Sequence, residues 1–444
     1  MTVEDLLTKI NDILWGPFLI ALLLGVGLLF TIRLGFIQIT MLRQTFKQTF
    51  SGLFKRKKNE EGGISSFQAL ATAVAAQVGT GNLAGVATAI AAGGPGAIFW
   101  MWFSSFFGMA TIFAEAVLAQ VYREEKNGEI KGGPAYYIRK GVGSKFLAAF
   151  FAVAIIIALG FVGNMVQSNS IAAAFQAFHI PSYAAGIGVA VLIGFIILGG
   201  IKRIAAFAER VVPIMALFYI IGSIIILVLY SDQVLAALSL IVTSAFSPAA
   251  AGGGVLGATV KEAIRYGVAR GLFSNEAGMG STPHAHAAAK VKHPAEQGLI
   301  AIMGVIIDTL IVCTFTALVI LVTGAYETGL TGISLTQEAF TRGLGSFGYP
   351  FIAICLFFFS LTTILGWYYF GETNVKYLFK EKGVGLYRGL VLLFIVLGTM
   401  MEVPVVWQLA DMFNALMVFP NLIALFILSP VVVKVFREYK NMRI

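Results

Sequence analysis

Charge is scarce in this chain. Only 12% of its 444 residues are Asp, Glu, Lys or Arg, whereas a soluble domain carries roughly a quarter. So small a charged fraction argues against a soluble globular protein. Cysteine is rarer still. The two present, Cys313 and Cys355, both sit in apolar segments, so neither a disulfide framework nor a metal-ligand spacing is indicated. Residues 1–12 lack the basic n-region and small-residue cleavage site of a signal peptide; they carry Glu4, Asp5 and Asp12 with one Lys9. The first hydrophobic segment is therefore expected to be retained. What the chain has in abundance is apolar: 58% hydrophobic residues, including 37 Phe, together with 49 Gly. That composition fits a helical membrane protein, in which small residues let helices approach closely.

A net charge of +9 could suggest nucleic acid in a soluble protein. Here the bases cluster in short loops, so topology explains them first. A crossing needs about 20 apolar residues. The sequence predicts eleven: 14–34, 66–92, 96–122, 146–177, 183–200, 209–230, 262–289, 297–324, 348–377, 386–402 and 405–433. Alternation places 33–63, 123–145, 201–210, 290–296, 376–388 and the C-terminal tail on one side. Those segments hold 26 of the 31 Lys and Arg, which predicts that side to be cytoplasmic, with the N-terminus outside and the C-terminus inside.

Two of these spans are interrupted. Residues 77–85 read Gln77-Val-Gly-Thr-Gly-Asn-Leu-Ala-Gly85, and residues 273–281 read Phe273-Ser-Asn-Glu-Ala-Gly-Met-Gly-Ser281. Irregular backbone at membrane depth is tolerated only where protein buries it or it lines a cavity. With the first span set aside, the breaks fall in the first and sixth of ten. Five spans separate the start of one half from the start of the next, so the halves enter from opposite sides, an inverted repeat, and paired breaks mark the binding site of a secondary transporter.

In the first break, Gly79 and Gly81 permit backbone angles closed to other residues. The helix restarting near Asn82 offers free N–H groups and a positive dipole end to a carboxylate. Carbonyls at the end of the preceding half suit a small cation. The spacing of Gly81 and Gly85 is also that of a helix-packing face. It is not the dinucleotide fingerprint, having no preceding strand or suitably spaced acid. In the second break, Gly280 and Pro283 disfavour continuous helix, and carbonyls near Phe273 and Ser274 can accept from an ammonium group. Glu276 can pair with that ammonium, bond the frayed backbone or carry a proton. His284 and His286, two apart, share no helix face, and packing or interfacial roles are expected of them.

Elsewhere Asn164, Gln167 and Ser168 share one face of the fourth span by their spacing, and Thr362 and Thr363 offer adjacent hydroxyls suited to a hard cation. Interhelical hydrogen bonding explains such groups equally. Glu115, Asp308 and Asp411 are lone acids for which caps, salt bridges and transport roles all stay open.

The strings Gly79-Thr-Gly-Asn-Leu-Ala-Gly-Val-Ala-Thr-Ala-Ile, Gly93-Gly-Pro-Gly-Ala-Ile-Phe-Trp-Met-Trp102 and Gly271-Leu-Phe-Ser-Asn-Glu-Ala-Gly-Met-Gly-Ser281 resemble signatures of the alanine or glycine:cation symporter family, and the resemblance extends over essentially the whole chain. It implies an all-α integral membrane protein of LeuT type: a five-plus-five inverted repeat preceded by one extra helix, in the cell membrane. It implies uptake of alanine or glycine driven usually by sodium, in some members by protons. Carried onto this sequence, it places substrate at Thr80, Gly81 and Asn82 and at Phe273, Ser274, Asn275 and Glu276, bordered by Gln77; Gln167 and Gly278 complete the expected set. Helix order in LeuT-type transporters pairs Ala75 and Val78 with Thr362 and Thr363 around sodium.

The expectation is a single transport domain over 1–444: an N-terminal helix and basic segment (1–65), then repeats over 66–230 and 262–433. Its ligands would be alanine or glycine and sodium, with lipid around it, and no organic cofactor or nucleic acid. The alternative is proton coupling through Glu276. No nucleophile–base pair, metal cluster or phosphate loop points to an enzyme, and no continuous polar stripe points to a channel.

Overall fold

In the computed structural model, which describes residues 3–54, 63–126, 128–247 and 259–442, both broken helices start from the same local device. Ser65 accepts from the Gln68 amide at 3.1 Å while Gln68 bonds back to the Ser65 amide. Thr259 and Glu262 make the same reciprocal pair at 3.2 and 2.6 Å. These are capping boxes, which satisfy two orphan amides each.

The first broken helix runs Ser66–Gln77, then Gly81–Gly93, with a 48° bend at the break. The second runs Val260–Asn275 and resumes as Pro283–Ala287. Every side chain in 69–87 and in 267–289 is buried. A helix buried all round belongs at the centre of a bundle. Close approach is achieved with small residues: a Cβ on Gly366 of the helix Gly348–Phe379 would stand 2.8 Å from Ala76 Cβ. At one end the two broken helices are joined by a short parallel bridge, Ile64 N to Ala288 O at 3.2 Å and Lys290 N to Ile64 O at 3.0 Å.

Around this pair stand Gly96–Val121, Lys145–Phe178, Gly200–Leu229, Pro294–Val322 and the long C-terminal helix Val403–Asn441. The N-terminal helices Val3–Leu14 and Pro17–Arg33 lean on that last helix; Asn11 of the first donates to Gln408 O at 2.9 Å, and Trp15, in the link between them, to Asp411 O at 3.1 Å. Among the described residues the only strands form a small hairpin, Glu124–Lys126 with Glu129–Lys131.

Among the described residues, six helical stretches are long and apolar enough to cross a membrane, or eight if each bent pair counts once. The expected eleven differ for identifiable reasons. Ser182–Ile197 is short at 16 residues, Gly332–Met400 runs several helices together, and the second broken helix contains charge and irregular backbone. Lys55, Arg56, Lys57, Lys58 and Arg443, used in the orientation argument, lie outside the described residues.

Candidate functional site

The two breaks meet at the centre. Gln77 donates to Asn275 O at 2.6 Å, joining the end of one half-helix to the end of the other. A Cβ on Gly81 would lie 3.1 Å from Ser274 Cα and 3.2 Å from Phe273 Cδ1. Only glycine lets these backbones approach so closely.

At the first break Val78 leaves the helix in an extended conformation. Asn82 then folds back to accept the Gly79 amide at 2.8 Å, and helix resumes with the wider π-turn Gly81–Gly85. A further π-segment, Ile306–Cys313, packs on this turn and carries Asp308, and another, Ile156–Gly163, directly precedes Asn164. Such segments recur at functional sites because they redirect side chains and free carbonyls.

Gln167 accepts the Thr80 amide at 3.1 Å. Its Nε2, the Thr80 hydroxyl and Gln77 Oε1 are buried without a partner. Buried polar atoms left unmet are costly. Two of the three can donate beside the restart of a helix, a setting complementary to a carboxylate.

The opposite side of the site is anionic. Asp308 accepts from Asn82 Nδ2 at 2.6 Å and Ser274 Oγ at 3.0 Å, so one carboxylate is shared by both breaks. Thr309 donates to its other oxygen at 2.7 Å and in turn accepts from Asn275 at 3.1 Å. No lysine or arginine among the described residues pairs with Asp308 in a salt bridge. A buried carboxylate so placed suits a cationic group.

The hydroxyls separate. Thr363 Oγ1 lies 3.0 Å from Ala75 O, 3.3 Å from Val78 O and 3.0 Å from Phe359 O. One hydroxyl proton can serve only one of three carbonyls, so the remaining oxygens form a hard-donor cluster. Thr362 turns away, to Phe358 O, Phe359 O and Met215 Sδ. Thr363, Ala75 and Val78 are thus brought together, and Thr362 is not with them.

The second break is braced from outside. Glu115 accepts the Gly278 and Gly280 amides at 3.1 and 2.9 Å, and Asn421 donates to both Glu115 and Gly278 O. Gly278 and Gly280 have φ of 93° and 80°, conformations that a side chain would strain. Glu276, itself at φ 59°, accepts from Trp367 Nε1 at 2.5 Å and from Ser281. Its carboxylate is engaged by these two side chains rather than by the backbone of the break.

Phe273 is flanked by Trp367 edge-on at 5.7 Å and Trp407 at 5.0 Å. Arg270 stacks on Trp407 at 4.9 Å and grips Asp411 with two 2.7 Å bonds. His284 is held between Ser281 O and Asn374, and His286 by Gln297. Both are buried within the protein. Trp367, Trp407 and Asn421 carried no sequence signal; Glu115 and Asp308 showed themselves only as isolated acids.

Two broken helices at the core of a helical membrane bundle define a secondary transporter of LeuT type. The solved structure of MhsT, crystallised with L-phenylalanine, shares the fold at a TM-score of 0.59, with 13% identity over 85% of this chain and 99% of that one. The chain belongs to the sodium:alanine symporter family, which it matches over residues 1–444. It is 45% identical to the probable sodium/glutamine symporter GlnT of Bacillus subtilis, over 99% of this chain and 91% of that protein. It is 44% identical to the sodium/alanine symporter AgcS of Methanococcus maripaludis, over 100% and 98%. The protein is therefore an amino acid:cation symporter in the membrane, and not an enzyme.

Proposed function

We propose that this protein imports alanine and glycine together with sodium by alternating access. Eleven crossings, N-terminus outside and C-terminus inside, are arranged as a five-plus-five inverted repeat (66–230 and 262–433) after one extra helix. The observation that carries the ion assignment is the convergence of the Thr363 hydroxyl with the Ala75 and Val78 carbonyls at the end of the first half-helix. Sodium binds there, with the Phe359 carbonyl as a further oxygen. The substrate carboxylate is held by Thr80, Gln167 Nε2 and the restarting helix at Gly81 and Asn82. Its ammonium lies toward Asp308 and the carbonyls near Phe273 and Ser274, with Gln77, Asn275 and Gly278 shaping the bend. Glu276 positions the second break through Trp367 and Ser281.

Close packing of Gly81 on Ser274 and the aromatic cover of Phe273 favour a substrate with a very small side chain. Sodium orders the end of Ser66–Gln77, so substrate binding then costs less ordering, and reciprocity makes substrate tighten sodium. The test is labelled alanine uptake by the purified protein in liposomes. A sodium gradient should drive accumulation that glycine inhibits and glutamine does not. Equal accumulation with sodium replaced by choline, at fixed pH, removes the sodium reading. Preferential inhibition by glutamine removes the substrate reading.

A further inference from the structure

The N-terminal helix and the C-terminal helix enclose a cleft remote from the breaks, with a cavity of about 600 Å³ lined by Arg33, Lys434, Arg437 and Glu438 over Pro430 and Val433. Arg33 is the last residue of Pro17–Arg33 and donates to Ser429 Oγ at 2.7 Å, which fixes the two helices at a common level. At that level both sequences change character. Residues before Arg33 and before Lys434 are apolar, and the tail from Lys434 onward is charged. On the apolar side, Ile32, Phe426 and Ile427 are exposed by 61%, 61% and 49%, as lipid-facing residues are. The cleft therefore opens at the membrane–water boundary.

Its charge is unbalanced. Lys434 and Arg437 are three apart and share a helix face, where like charges repel. Arg33 adds a third positive group from the other helix, against one carboxylate. Among the described residues, neither Lys434 nor Arg437 has a salt-bridge partner. Three cations gathered around an open cleft, with hydrocarbon-facing surface beneath, match a phosphate carrying acyl chains. We propose that this cleft binds the headgroup of an anionic phospholipid, with Arg33, Lys434 and Arg437 around its phosphate and the acyl chains along Ile32 and Phe426. The lipid would bridge the extra helix to the C-terminal helix. This proposal stands independently of the transported substrate.

The full-length protein in phosphatidylcholine nanodiscs doped with phosphatidylglycerol provides the test, with retained lipid read by native mass spectrometry. The wild type should retain phosphatidylglycerol preferentially. Lys434→Gln with Arg437→Gln should lower that preference roughly tenfold, while Lys434→Arg preserves it. Lys440→Gln is the control, since Lys440 lies over Phe436 instead. Thermal unfolding in lipid-free detergent separates lost affinity from lost fold. If the folded double variant retains as much phosphatidylglycerol as the wild type, the proposal is overturned. It is equally overturned if excess inorganic phosphate displaces the lipid completely, because the occupant would then be the free anion.

Discussion

Thr363 is the side chain on which the proposed ion coupling rests. Thr363→Ala removes a ligand oxygen while leaving the Ala75 and Val78 carbonyls, so sodium should be needed at roughly tenfold higher concentration for half-maximal alanine uptake, and Thr363→Ser should restore most of the loss. An unchanged sodium titration removes Thr363 from the ion site. Gly81→Ala places a methyl group 3.1 Å from Ser274 Cα, tight enough that the neighbour must yield. Alanine uptake should fall well before glycine uptake in a paired competition assay, and equal loss of both would argue for collapse of the break rather than for a size limit. Asp308→Asn keeps the shape and removes the charge. Alanine binding should weaken by roughly tenfold or more, measured with the protein in detergent at saturating sodium. Much of this was readable in the chain, because polar residues inside apolar runs such as Gln77, Asn82, Gln167 and Ser274 need a reason to be there. The choice between Thr362 and Thr363 was not readable. Neighbours on a helix point about 100° apart, so only one can face Ala75 and Val78, and the helix's phase against Ser66–Gln77 decides which. Nor does sequence show that Asp308 joins Asn82, 226 residues away.

The broken helices were legible as elements because glycine and proline interrupt otherwise apolar spans. Their starts were legible in principle too, as Ser65-x-x-Gln68 and Thr259-x-x-Glu262. The π-turns at Gly81–Gly85, Ile156–Gly163 and Ile306–Cys313 carry no residue-type signature; they arise where tertiary packing inserts an extra residue into the helical ladder. The hairpin Glu124–Lys126/Glu129–Lys131 was hidden in a charged loop. Its Glu129 meets Lys131 at 2.9 Å and Lys376 at 3.0 Å, which attaches it to the end of Gly348–Phe379. Burial would push the Glu129 carboxyl up, but hydrogen bonds from Lys131 and Lys376 outweigh it and hold the carboxyl below its usual range. A depressed value means the stabilisation is complete above the unfolded value of about 4.3 and fades as pH falls through the folded one. Hydrogen exchange in the hairpin, corrected for intrinsic rates, should stay level from neutral pH to about 5 and rise only in stronger acid. A rise between pH 7 and 6 would mean that these pairs do not hold the hairpin.

Across the whole molecule, the proposed substrate region is covered on the Arg270 side by stacked layers: Phe273, then Trp407, then the Arg270–Asp411 pair. Breaking a partly buried, doubly bonded charge pair mainly accelerates escape. Asp411→Asn should therefore speed alanine release by roughly tenfold or more, seen as rapid loss of preloaded label. Exchanging the charges, Arg270→Asp with Asp411→Arg, should recover part of the retention. If release is unchanged in the single variant, the pair does not close the site. At this scale sequence conveyed the bundle and its paired interruptions, through hydropathy and the distribution of Lys and Arg. It did not convey this cover, which is assembled from residues more than a hundred positions apart.

The two interruptions differ in who occupies their amides. Glu115 reaches across from Gly96–Val121 and accepts those of Gly278 and Gly280 in the second. In the first, Asn82 accepts the Gly79 amide and Gln167 the Thr80 amide, while Gln167 Nε2 and the Thr80 hydroxyl have no partner. Unmet donors thus gather at one elbow, while the backbone of the other is braced by Glu115 and Asn421. Under the proposed coupling, a carrier arranged this way would have an energetic reason not to swing across half-loaded, which would keep the ion gradient from draining without work done.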